Sequence, residues 1–129
     1  MIVVDASAMV EALVGRNPSP ELLDLLEGQV SVPHLLDIEV LSVLRGLVLG
    51  GALSDLQADE ARKDYDAFTL TRYEAAPLSE RIWTLRNRFT AYDASYIALA
   101  EGLNAPLVTC DKKLVGPGHH AHVLIFGHT

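Results

Sequence analysis

Four acidic residues sit where the surrounding sequence is apolar: Asp5, Glu39, Asp93 and Asp111. Asp5 closes the run Ile2-Val3-Val4. Glu39 has Leu35, Leu36, Ser42 and Val43 as its helical i±3 and i±4 neighbours. Asp93 and Asp111 bracket the apolar stretch YDASYIALAEGLNAPLVTCDKKL, residues 92–114. An unpaired buried charge costs several kcal/mol even after relaxation. Arg45, six positions beyond Glu39, points elsewhere on a helix. A cation from outside the chain is the simplest remedy. Carboxylates gathered together repel, and a hard divalent cation with oxygen ligands, Mg²⁺ or Mn²⁺, relieves that repulsion. The chemistry natural to such a site is phosphodiester hydrolysis by metal-activated water, with one or two ions stabilising the attacking and leaving oxygens.

The elements that would gather these acids can be read from periodicity and punctuation. Residues 2–4 form a short buried strand, and Ser7 is placed to cap a helix running through Val14. Pro20 suits the first turn of a helix over 21–27, stopped by Gly28. Residues 31–33 are a weak strand. Over 35–49 apolar residues surround nearly the whole helical circumference, which predicts a buried helix. Ser54 and Gln57 form a capping-box pattern before Ala58, Ala61, Tyr65 and Phe68. A strand over 69–74, a helix over 78–88 with Ser79 as cap, a helix from Asp93 stopped by Gly102, a strand over 107–109, a helical turn over 111–115 and a strand over 123–126 complete the chain. Strands alternating with helices predict a three-layer α/β/α domain with a central, mostly parallel sheet, formed by residues 1–129 as one unit.

Parallel strands end at one rim, and Asp5 and Asp111 each follow a strand. The helix from Asp93 descends about 14 Å at ~1.5 Å per residue. The returning strand climbs about 16 Å at ~3.3 Å per residue. Asp93 and Asp111 are therefore expected at the same height, on the rim where open α/β sheets bind ligands. Taken singly, Asp5, Asp93 and Asp111 each read as helix N-caps, and Glu39 as a side chain reaching solvent or an arginine. Three on one rim together with Glu39 favour a metal site, and a capping aspartate can also be a ligand.

Composition narrows the class. The chain has 129 residues, half of them hydrophobic, with a net charge of −7 and one cysteine, Cys110. That excludes a disulfide framework and argues against a binder that relies on an overall basic surface. No leader pattern opens the chain and no run is long enough to span a bilayer, so a cytoplasmic protein without membrane contact is expected. Arg72, Arg81, Arg86, Arg88, Lys112 and Lys113 are candidate phosphate contacts, though each alone reads as part of a solvated face. Trp83 and Phe89 read as core or subunit-interface residues. His119, His120 and His122 lack convincing ligand spacing and read as a solvated turn.

The segments VVDASAMVEAL, LLDIEVLSVLRG and YDASYIALAEGLNAPLVTCDKKL, in this order, resemble a PIN domain, and more narrowly a VapC-type toxin ribonuclease of a bacterial toxin–antitoxin pair. The similarity runs over essentially the whole chain. It places the family's acidic cluster on Asp5, Glu39, Asp93 and Asp111, and a hydroxyl near the site on Thr109. Ser7 reads as a helix cap rather than a phosphate contact and is kept as a supporting candidate. The resemblance implies an endoribonuclease that uses Mg²⁺ or Mn²⁺ and leaves a 5′-phosphate and a 3′-hydroxyl. RNA is then the substrate, a cognate antitoxin laid across the site the inhibitor, and a homodimer the usual assembly. Two alternatives remain open: a non-catalytic binding module on the same fold, and an Mg²⁺-dependent phosphoacceptor domain. The second fits poorly, because the mid-chain strands end near Pro33 and Glu74 rather than at an isolated aspartate.

Overall fold

A computed structural model describes residues 1–129. Five strands, β1 (Ile2–Val4), β2 (Val30–Pro33), β3 (Leu70–Tyr73), β4 (Leu107–Thr109) and β5 (Val123–Ile125), form one sheet in the order β3-β2-β1-β4-β5. Every pairing is parallel, with Val3 opposite Ser31 on one side and Leu107 on the other. The three central strands are fully buried. Burial on both faces suits the apolar runs Ile2–Val4 and Leu107–Val108, while β2 carries one buried serine, Ser31.

Six α-helices cover the sheet: α1 (Ala6–Val14), α2 (Pro20–Leu26), α3 (Leu35–Leu49), α4 (Asp55–Ala67), α5 (Ser79–Thr84) and α6 (Ala91–Leu103). Helix α6 packs across β1, β2 and β4, with α5 against its outer side; α1, α3 and α4 pack on one another, α1 reaching β4 and α3 reaching β2. The chain winds outward from β1 to β3, then returns to place β4 on the other side of β1. The crevice between the ends of β1 and β4 is thus the point where the winding reverses, the usual ligand position in open α/β sheets.

Local chemistry sets the helix ends, and four differ from expectation. Helix α1 is capped by Asp5, whose carboxylate accepts from the Ala8 amide at 3.0 Å, while Ser7 lies inside the first turn. Helix α6 is capped by Thr90, whose hydroxyl accepts from the Asp93 amide, so Asp93 is not a cap. It ends at Asn104, which takes the left-handed conformation at φ 50°, while Gly102 stays helical. Asparagine tolerates that conformation better than most residues. The Ser79 hydroxyl donates to the Ala76 carbonyl instead of capping, and α5 is correspondingly short.

Helix α3 is the main departure. Only the stripe Leu36, Val40 and Leu44 is buried. Ile38, Leu41, Val43 and Leu49 are exposed, Ile38 by 66% and Leu49 by 69%. Its apolar circumference therefore serves a core on one side and leaves an uncovered surface on the other. Its first turn is fixed to the sheet edge by Asp37. That carboxylate accepts a fork from Arg72 of β3, at 2.9 and 3.0 Å, and the hydroxyl of Tyr65 of α4 at 2.6 Å. Burial pushes the Asp37 carboxyl up, but the Arg72 and Tyr65 hydrogen bonds and the Arg72 charge outweigh it and hold it below its ordinary value.

Thr90→Ala removes the α6 cap and should destabilise the protein by about 1 kcal/mol in urea unfolding, with Thr90→Ser near wild type. Equal stability of all three proteins would show that the cap contributes nothing.

Candidate metal and nuclease centre

Asp5 leaves the end of β1 and is only 6% exposed. Its Oδ1 accepts from the Ser7 hydroxyl at 2.7 Å and from the Ala8 amide. Its Oδ2 accepts from the Thr109 hydroxyl at 2.5 Å. Ser7 Oγ in turn accepts the Cys110 amide, and Thr109 Oγ1 accepts the Asp111 amide, both at 2.9 Å. Each hydroxyl has one proton, so both are already spent on Asp5, and the 3.3 Å approach between the two hydroxyls is a contact rather than a further bond. Two hydroxyls thereby bind the exits of β1 and β4 together through one carboxylate. On Oδ2 one lone-pair direction remains for an external cation.

Glu39 lies in the second turn of α3, half-buried. Its Oε1 accepts from the hydroxyl of Tyr96, a fully buried side chain of α6, at 2.5 Å. Arg45 makes no ion pair with it. Asp93, also half-buried, stands in the first turn of α6. Asp111 caps the short turn Lys112–Leu114 through the Lys113 amide at 2.9 Å, and Lys113 Nζ lies 3.7 Å from its Oδ2.

Electrostatics couples the four acids into one group. Asp5 is raised above its ordinary value by burial, partly offset by its hydrogen bonds from Thr109, Ser7 and Ala8, and raised further by Asp111. Glu39 is raised by burial and by the charges of Asp5 and Asp93, against the Tyr96 hydrogen bond. Asp93 is raised by burial and by Asp111, against Lys113 and Thr90. The Tyr96 hydroxyl is pushed up by burial and by Glu39, so it stays protonated and donates. As the side chains stand, no three of them converge tightly enough to grip an ion. The donor set nonetheless suits a hard divalent cation: it is all oxygen, it is partly desolvated, and each member repels another.

The basic candidates have separate fates. Arg81 is held by Glu101 in a fork at 2.7 and 2.9 Å, so its guanidinium is occupied. Arg86 lies over the Trp83 ring, 4.7 Å from its centroid. Arg88 is exposed, its stem against Gly118, where a Cβ would come within 2.7 Å of Arg88 Cδ. Lys112 is exposed and Lys113 sits beside Asp111. The histidine-rich turn is fastened down rather than gathered around a metal. Glu101 accepts the His120 amide at 2.7 Å, and His119 Nδ1 accepts the Ala121 amide. That leaves His119 Nε2–H to donate to the Leu114 carbonyl at 2.7 Å.

The sequence reading gave Tyr96 no role, although it lies three residues after Asp93 and one helical turn carries both. A tyrosine on the same helical turn as a site acid, in an otherwise small and apolar helix, was the available signal.

A carboxyl whose folded pKa is raised binds protons more readily in the folded state. Folding stability then falls as pH rises from the ordinary carboxyl range through the raised values. Glu39→Gln and Asp93→Asn should each raise the metal-free Tm at pH 7 by a few degrees. The gain should shrink to nothing near pH 4. A lower Tm at pH 7 for both variants would refute mutual repulsion.

The PIN-domain family profile matches residues 2–116. A VapC ribonuclease of Mycobacterium bovis is 42% identical over 118 residues, spanning 92% of this chain and 91% of the relative. The crystal structure of PAE2754 from Pyrobaculum aerophilum superposes with a TM-score of 0.72 at 25% identity, covering 95% of this chain and 82% of that one. A toxin–antitoxin complex from Klebsiella pneumoniae has a chain of the same fold, with a TM-score of 0.66 at 20% identity and 96% of both chains covered. With its sheet order, its four coupled acids and these likenesses, the chain belongs to the PIN-domain family, among the VapC-type ribonucleases.

Proposed function

We propose that Asp5, Glu39, Asp93 and Asp111 are the hydrolytic centre of this VapC-type endoribonuclease, and that they work by holding Mg²⁺ or Mn²⁺. The observation that carries the reading is the ring of electrostatic coupling, in which Asp5 meets Asp111, Glu39 meets Asp5 and Asp93, and Asp93 meets Asp111. A divalent ion, when bound, supplies positive charge to the scissile phosphate and acidifies water. The chain's own groups do the positioning. Ser7 and Thr109 fix Asp5 so that only one direction on Oδ2 is open. Tyr96 fixes Oε1 of Glu39 and takes no part in holding Oε2. Lys113, 79% exposed, is placed to meet an incoming phosphate beside Asp111.

The toxin role implies an antitoxin partner, which the relation to VapC ribonucleases and the fold shared with a toxin–antitoxin complex support. We assign a homodimer as the working assembly, with the uncovered α3 surface around Ile38 and Leu41 as its first candidate contact. Sedimentation of wild type against the Ile38→Glu, Leu41→Glu protein tests this. The wild type should sediment as a dimer and the variant as a monomer; a monomeric wild type overturns it. No helix is long and apolar enough to cross a membrane.

Incubation of the purified chain with total cellular RNA and Mg²⁺ should yield discrete cleavage ends. Asp5→Asn or Asp93→Asn should abolish them, as should removal of the metal with a chelator. Cleavage at wild-type rate by either variant would end the assignment. Thr109→Val, which frees a buried carboxylate oxygen, should reduce activity about 10–100-fold, with Thr109→Ser largely restoring it.

A further inference from the structure

We propose that the cleft between Trp83 and Tyr92 is a stacking subsite for one unpaired base of the RNA, adjoining the acidic centre. The cleft has a volume of about 360 Å³ and is lined by His34, Leu35, Tyr73, Ile82, Trp83 and Tyr92 among others. Trp83 is 66% exposed and Tyr92 60%, so neither ring belongs to the core. This assignment rests on the nuclease reading of the neighbouring acids.

Position gives the first support. Tyr92 directly precedes Asp93 in the first turn of α6, and His34 and Leu35 begin the helix that carries Glu39. Tyr73 and Pro33 are the last residues of β3 and β2. The cleft therefore lies at the same strand ends as the acids, on the β2–β3 side, and none of the four acids lines it. RNA lying with a phosphate at the acids would carry a neighbouring base toward it.

Chemistry gives the second. Sequence-tolerant recognition of single strands uses aromatic faces for the bases and nearby cations for the backbone. Arg86 covers Trp83 at 4.7 Å and also donates to the Trp83 carbonyl, yet it does not line the cleft. A cation on the outer side leaves the rest of the ring to a base and offers a phosphate its guanidinium. Within the cleft the Tyr73 and Tyr92 hydroxyls and the His34 ring nitrogens are available to the base edge. On a chain of net charge −7, this pairing of an aromatic with an arginine provides local attraction where the overall field repels RNA.

Trp83 is the only tryptophan, so its fluorescence reports the cleft directly. The probe is a short mixed-sequence single-stranded RNA added to the Asp93→Asn protein, with and without Mg²⁺. Its emission should be quenched saturably. The quench should be lost when abasic sites replace the bases, and Tyr92→Ala should weaken RNA binding on the order of tenfold. In protein with the native acids, Tyr92→Ala and Trp83→Phe should raise KM more than they lower kcat. If cleavage is real while RNA leaves Trp83 emission unchanged, the subsite is wrong and the nuclease reading survives. If emission is quenched and no cleavage occurs with native acids, the subsite stands and the nuclease reading fails. Equal quenching by abasic RNA overturns base stacking. So does a wild-type dimer whose Trp83 emission RNA leaves unquenched and which Trp83→Ala converts to monomer, because the cleft then belongs to a second copy.

Discussion

Repulsion among carboxylates held at the reversal point of a parallel sheet is the constraint on which the rest of this molecule turns. Asp5 is buried there, Asp111 follows β4 beside it, and α3 and α6 each deliver a further acid. Burial and mutual charge raise Asp5, Glu39 and Asp93 together. A fold selected only for stability would put apolar groups at these positions. The surrounding hydroxyls compensate only in part: Ser7, Thr109 and Tyr96 all donate to a carboxylate, and none brings positive charge. Lys113 alone among the nearby cations does, from an exposed side chain.

The hydroxyl scaffold also explains how short strands can set a precise site. β1 and β4 have three residues each. Their backbone pairing fixes register, but the side chains beyond the strand ends need a separate restraint. Thr109 supplies it by donating to Asp5 and accepting the Asp111 amide, and Ser7 by donating to Asp5 and accepting the Cys110 amide. The loop after β4 is thus tied to the helix after β1 through a single carboxylate. Preorganisation of this kind lets a charged site keep its shape.

Much of the architecture was legible because the signals were redundant. The β-branched run 2–4 and the capping box at Ser54 and Gln57 each announce an element by local chemistry, and the structure has both. The approximate return of Asp93 and Asp111 to one height followed from rise per residue alone. What the sequence could not fix were choices among neighbouring candidates. Asp5 or Ser7 could cap α1, and the Ser7 hydroxyl is spent instead on Asp5 and the Cys110 amide. Apolar content around α3 did not distinguish a helix buried all round from one with an uncovered apolar face. Tyr96 was hidden for a related reason: a tyrosine in an apolar helix looks like packing until the carboxylate opposite it is known. Arg81 looked like a phosphate contact because its partner, Glu101, lies 20 residues away.

The most direct measurement is a crystal soaked in Mn²⁺ and read by anomalous scattering. A peak within coordination distance of Asp5 Oδ2 and the Asp93 carboxylate, with Glu39 or Asp111 drawn in directly or through water, is the predicted result. Well-ordered crystals whose four carboxylates remain apart in saturating Mn²⁺, with no peak between them, would contradict it.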